Sequence, residues 1–158
     1  MTQRGRSRRL ARRSAVEALY AWQAGGADAA ELPRVLAEVL GREDRRQQDE
    51  AFVREAVLGV AEHRAELDEA IGQAARGRSL RSIGAMELAI LRLGAWELRY
   101  RLEIPYRVVI SEALRLAGKF TEPAAKRFIN GVLDALARRW RALEVEGGAR
   151  KLAPRRAS

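Results

Sequence analysis

"RRSAVEALYAWQ", residues 12–23, is the stretch that decides the fold class. Alanine, leucine, glutamate and arginine dominate it, and all are good helix formers. No alternation of β-branched residues competes with that reading. On a helical wheel of about 100° per residue, Arg9, Arg12, Arg13, Val16 and Tyr20 fall within one arc, while Ala11, Ala15, Ala18, Leu19 and Trp22 lie mainly opposite. The spacing predicts Trp22 in a core and Tyr20 on an outer face with the arginines. Such a face suits phosphates, which guanidinium groups grip as a fork. It also suits unpaired bases, which stack on a tyrosine ring. A solvated basic face, with Tyr20 half-buried against a neighbouring helix, explains the same pattern.

Working outward, nearly every segment reads as helix. Ser7 is a candidate N-cap for the first helix, which runs to about Gln23 and stops at Gly25-Gly26. Pro33 and Gly41 bound a short second helix. The polar stretch "REDRRQQDE", 42–50, reads as exposed. Phe52, Val53, Ala56, Val57 and Val60 form the stripe of a third helix, and Leu67 to Ala74 a shorter fourth. "ARGRS", 75–79, breaks the chain. A fifth helix spans about Ile83 to Arg101, with Ile83, Met86, Ile90 and Leu93 on one stripe. Pro105 opens a sixth, with Val109, Ala113, Leu116, Ala117 and Phe120 inward. After Pro123 a last helix carries Phe128, Ile129, Val132, Leu133, Leu136, Trp140 and Leu143. The expectation is an all-α chain of about seven helices. Its organisation reads as a basic flexible N-terminus at 1–7, a helical domain at 8–146 and a basic disordered tail at 147–158.

Charge is distributed unevenly over the 158 residues, whose net charge is +9. Arg4, Arg6, Arg8, Arg9, Arg12 and Arg13 meet no acid in residues 1–13, and Arg150, Lys151, Arg155 and Arg156 meet none in 147–158. The body between them is one charge below neutral. Basic ends over a neutral body point to a polyanion, with nucleic acid first and acidic membrane second. Solubilising tails are the plainer explanation. Cysteine is absent, which removes disulfide and thiolate chemistry and fits a reducing compartment. No apolar run nears the roughly 20 residues of a membrane span, and no apolar stretch follows the basic start, so neither membrane insertion nor secretion is expected.

Catalytic constellations are weak. His63 is the only histidine and has no partner at metal-ligand spacing. No phosphate-binding glycine loop or nucleophile elbow is present. No cofactor is indicated. Asn130-Gly131 interrupts a helical pattern, where Gly costs about 1 kcal/mol relative to Ala. The reading is structural: Gly131 admits a close helix crossing, and Asn130 ties a neighbouring backbone group.

Four stretches together resemble the NusB family of bacterial transcription antitermination factors. They are "ARRSAVEALYAWQ" (11–23), "AILRLGAWELRY" (89–100), "IPYRVVISEALRLAGKF" (104–120) and "KRFINGVLDALAR" (126–138). In order and spacing the resemblance runs from Arg8 to about Arg138, leaving 26–50 and the tail outside it. It implies an all-α fold of two small helical bundles packed together. It implies a cytoplasmic protein without catalytic activity that binds a short single-stranded RNA element, boxA, together with NusE, a small-subunit ribosomal protein. The complex joins NusA and NusG on RNA polymerase and makes it resistant to termination, notably on ribosomal RNA operons.

Carried over by position, the resemblance places RNA contacts on Arg8, Arg9, Arg12, Arg13, Tyr20, Phe120, Arg127 and Phe128, and a NusE contact on Glu87. Leu10 stands where the family has one of its arginines, and Arg13 where an acid can occur. Thr121 replaces a frequent Gly, and Ala124 and Ala125 replace polar residues that touch RNA in the family. Two rivals remain. Some RNA cytosine methyltransferases begin with a domain of this kind, but they continue into a cofactor domain with catalytic cysteines, which this sequence lacks. Some family members self-associate and cover the arginine-rich surface, so a homodimer or helical adaptor is the other rival.

Overall fold

The computed structural model describes residues 1–152 and contains, among them, eight α-helices, three short 3₁₀ turns and no strand. The helices are α1 (Gln3–Ala24), α2 (Leu32–Leu40), α3 (Glu50–Glu62), α4 (Arg64–Ala74), α5 (Ala85–Tyr100), α6 (Tyr106–Phe120), α7 (Pro123–Trp140) and α8 (Ala142–Leu152). None of them is long and apolar enough to cross a membrane.

Helix α1 begins earlier than Ser7. The Thr2 hydroxyl accepts from the Gly5 amide at 2.9 Å and caps it. The stretch expected as a flexible 1–7 is therefore helical from Gln3. At the other end, the single last helix read from the sequence is two. The chain breaks at Arg141, where the backbone leaves the helical region. The turn moves Leu143 out of the apolar stripe to 86% exposure and brings Val145 against the core instead. Helix α8 continues to Leu152, so the first half of the expected disordered tail at 147–158 is helical. Residues 153–158 lie outside the described residues.

Arg141 explains why the break is stable. Its side chain is buried and donates to the carbonyl oxygens of Leu98 (2.9 Å), Glu97 (3.0 Å), Arg101 (2.9 Å) and Ile104 (2.5 Å), and pairs with Glu144 at 3.2 Å. Leu98 and Glu97 belong to the last turn of α5, where backbone carbonyls run out of helical partners; the Glu97 carbonyl also accepts from the Arg101 amide at 2.9 Å. A guanidinium carries enough donors to satisfy them together.

Helix α5 organises the interior. Every residue from Ala89 to Leu98 is buried, and the helix packs against α1, α3, α4, α6 and α7. A helix covered on all sides needs more than the one stripe read from its sequence. Two expected bundles therefore become two groups of helices sharing α5, with one continuous core. Close approach occurs where glycine meets α5 or lies within it. A Cβ on Gly94 would stand 2.9 Å from Leu133 of α7, and one on Gly59 of α3 would run into the Trp96 indole. Gly131 does not serve that role: a Cβ there meets nothing within 4 Å, and Asn130 beside it is exposed.

The 42–50 stretch is not uniformly exposed. Arg45, 2% exposed in its side chain, donates to Ser14 Oγ and to Glu17, each at 2.9 Å, and Gln48 is also buried. Trp22 lies in the core and donates its indole N–H to the Asp28 carbonyl at 3.0 Å, as a buried indole requires.

Candidate nucleic-acid interface

The arginines of α1 divide by depth. Arg12 is 4% exposed and belongs to the interior, which corrects the expectation that it shares the outer face. Its guanidinium grips Glu97 of α5 with contacts of 2.7, 3.1 and 3.1 Å. On the wheel Arg12 lies at the edge of the arc shared with Arg9, Arg13 and Tyr20, only about 20° from Leu19, and the structure places it on the core side of that boundary. Burial pushes the Glu97 carboxyl up from its ordinary value, against the pull of Arg12.

The other three are partly accessible, and each has an acid. Arg8 pairs with Asp49 at 3.2 Å and lies 4.5 Å over the Phe52 ring. Arg9 makes a two-point contact with Glu112 of α6, at 2.9 and 3.2 Å. Arg13 pairs with Glu17 at 3.0 Å, and its guanidinium sits 5.8 Å from the Phe120 ring. Glu17 also accepts from Arg45 and pairs with Arg42. Burial pushes the Glu17 carboxyl up, but Arg45, Arg42 and Arg13 outweigh it and hold the carboxyl below its ordinary value.

Tyr20 stands at the next outward position of α1, 42% exposed. It forms a wall of a groove of about 540 Å³ whose other walls include Met86 and Glu87 at the start of α5, Lys119 and Phe120 at the end of α6, and Ala125 at the start of α7. Four helix segments distant in sequence thus bring Tyr20, Phe120 and Glu87 to one concave surface. Phe120 is half-buried, with the Lys119 ammonium 6.0 Å from its ring. Glu87 is half-buried too, and its Oε2 accepts no hydrogen bond among the described residues. A cation, a carboxylate acceptor and two aromatic rings in one groove can grip phosphate, base amino groups and base faces at once.

Arg127 and Phe128 do not line this groove. Arg127 is exposed, and Phe128 is half-buried, with one ring face covered by the Arg78 guanidinium at 4.0 Å. Two of the departing positions do line it: Thr121 and Ala125. The Thr121 hydroxyl donates to the Ala117 carbonyl at 2.6 Å, closing the end of α6. Ala124 is exposed and offers no polar atom from its side chain. His63 stacks on Tyr100 with ring centres 4.2 Å apart, and the Tyr100 hydroxyl donates to Glu66 at 2.6 Å. No group of three or more metal-ligating side chains occurs among the described residues.

A family model described as the NusB family matches residues 9–138. The transcription antitermination protein NusB of Stenotrophomonas maltophilia (strain K279a) is 42% identical over 137 residues, spanning 87% of this chain and 84% of that protein. The protein of the same name from Proteus mirabilis is 43% identical over 131 residues, spanning 83% and 93%. Among solved structures, T. maritima NusB superposes with a TM-score of 0.75 at 23% identity over 92% of this chain and 98% of that one, a likeness of fold. A crystal structure of the antitermination factors NusB and NusE in complex with dsRNA matches with a TM-score of 0.71 at 27% identity, over 85% and 98%.

Proposed function

The chain belongs to the NusB family, and from that premise we propose that it is a transcription antitermination factor that binds boxA-type RNA jointly with NusE. The observation that carries this reading is the groove that gathers Tyr20, Phe120, Lys119 and Glu87. In this reading Tyr20 and Phe120 hold splayed bases. Arg9 and Arg13 exchange their carboxylate partners for phosphates. Arg12 serves the fold instead, because reaching RNA would leave Glu97 charged and unpaired in the interior.

Glu87, half-buried at the groove wall, is the contact for NusE. NusE completes the groove, so each partner raises the affinity of the other by the same factor. The assembly then joins NusA and NusG on RNA polymerase in the cytoplasm. The relatives' names describe a transcription factor, and the groove gathers binding groups rather than a nucleophile with its base.

The test is fluorescence anisotropy of a labelled boxA RNA and a scrambled control, titrated with the chain alone and with NusE. A preference for boxA that sharpens with NusE is expected. Equal, salt-sensitive binding to both RNAs, unchanged by NusE, overturns the reading and leaves a basic helical adaptor. Tyr20→Ala should weaken boxA binding about fivefold or more while leaving the unfolding midpoint unchanged, since the ring is exposed.

A further inference from the structure

The stretch 75–79, "ARGRS", links α4 to the 3₁₀ turn at Leu80–Ser82. Arg76 has φ 38° and Gly77 φ 79°, so two successive residues are left-handed. That conformation is unfavourable for a residue with a Cβ, and Arg76 adopts it nonetheless. The turn sends Arg78 across to α7, where its guanidinium lies 4.0 Å over the centre of the Phe128 ring. A hydrogen bond from Nη2 to the Ser82 carbonyl, 3.3 Å, helps to hold it there. Phe128 packs against the core. With core contacts on the ring and Arg78 over one face, the outermost plane at this site is the guanidinium itself, and Arg78 is exposed.

The two segments that meet here carry one sign of charge, with Glu87, Glu122 and Asp134 just beyond their ends. Residues 75–86 and 123–133 contain no Asp or Glu, and they hold Arg76, Arg78, Arg81, Lys126 and Arg127. All five are exposed, and none forms an ion pair among the described residues. The site also adjoins the groove: Ala125, which lines it, precedes Phe128 by less than one turn of α7, about 4.5 Å along the axis.

We propose that Arg78, held over Phe128, is a stacking platform for a base of single-stranded RNA leaving the Tyr20–Phe120 groove along the start of α7, with Arg127 meeting the adjoining phosphate. Guanidinium planes stack on bases as aromatic rings do, and a planar cation does so beside phosphates without repulsion. An acid-free, unpaired arginine set favours a polyanion whose bases offer planes over an acidic protein, which would offer carboxylates alone. The inference rests on the RNA reading of the groove.

The test compares the full chain with its Arg78→Ala, Arg78→Lys and Tyr20→Ala variants, by anisotropy of labelled single-stranded boxA RNA across a salt series. Circular dichroism melts confirm that each variant is folded. Arg78→Ala and Arg78→Lys should both lose affinity about fivefold or more, with Arg78→Lys keeping the wild-type salt slope because its charge remains. Arg78→Lys binding like wild type overturns the proposal, since a point charge would then suffice. Arg78→Ala binding like wild type while Tyr20→Ala is weakened overturns it and leaves the groove reading intact. Wild-type binding by both Arg78→Ala and Tyr20→Ala overturns the groove reading and the platform with it. Loss of NusE affinity in Arg78→Ala with RNA affinity unchanged makes the face a protein interface instead.

Discussion

Two sets of arginines lie on this molecule, and they are set up in opposite ways. Along α1, Arg8, Arg9, Arg12 and Arg13 each face a carboxylate, supplied in turn by Asp49, Glu112, Glu97 and Glu17. In the segment from Arg76 to Arg81 and at Arg127, no acid faces them among the described residues. The same residue type therefore does different work. A paired guanidinium spends its donors within the fold, and any phosphate must displace a carboxylate to reach it. An unpaired one leaves both charge and donors available. Arginine density in a sequence reports neither condition, because three of the four acids, Asp49, Glu112 and Glu97, come from residues tens of positions away.

The sharpest way to break this comparison is to remove a partner from each set. Arg12→Ala should destabilise the protein by about 3–5 kcal/mol, since Glu97 is left buried without its cation. Arg127→Ala, at an exposed position, should stay within about 0.5 kcal/mol of wild type. Urea unfolding followed by circular dichroism measures both. Equal small effects would mean that Arg12 contributes no more than a surface charge.

A smaller effect is expected at Glu17, where three arginines converge. At neutral pH, Glu17→Gln should cost about 1–3 kcal/mol by weakening charge-assisted hydrogen bonds. The folded carboxyl titrates below its ordinary value. Its stabilisation is therefore complete above the unfolded carboxyl's pKa, about 4.3, and is lost as pH falls through the folded one. The gap between wild type and Glu17→Gln should close on acidification through that window. A gap that persists at pH 2 would assign the effect to packing rather than charge.

The smallest effect sharpens the comparison from the side of binding. Glu112→Gln converts Arg9 from a paired to an available guanidinium. RNA affinity should rise a few-fold, and the slope of log affinity against log salt should steepen by up to about 0.7. An unchanged slope would show that Arg9 does not meet phosphate.

Much of the fold is legible in the sequence because periodicity reports burial. Phe52, Val53, Ala56, Val57 and Val60, and Ile129, Val132, Leu133 and Leu136, are buried as their spacing predicts. What escapes is any feature that depends on a second element. Burial of α5 on all sides follows from its five neighbours, although Arg92 and Glu97 inside the otherwise apolar run 89–98 are a signal that opposite charges have to come inward to meet them. Arg45 looked exposed because its partners, Ser14 and Glu17, sit on another helix. Helix crossings at Gly59 and Gly94 could not be ranked against Gly131 without knowing what each faces. At the candidate site, Tyr20 was legible from the wheel, while Phe120 and Glu87 came through the family resemblance. The 75–79 stretch showed only as an interruption, because the Phe128 ring that Arg78 covers lies fifty residues further along.

Arg141 sets a lower bound on the chain that can fold this way. The family model ends at residue 138, yet the side chain three positions later closes the carbonyls at the end of α5 and holds the approach to α6 through Ile104. A chain cut at the family boundary would keep every helix that lines the groove and lose the clasp on the helix around which they are arranged. Domain boundaries drawn from sequence similarity and those drawn from hydrogen-bond satisfaction differ here by three residues, the last of them Arg141.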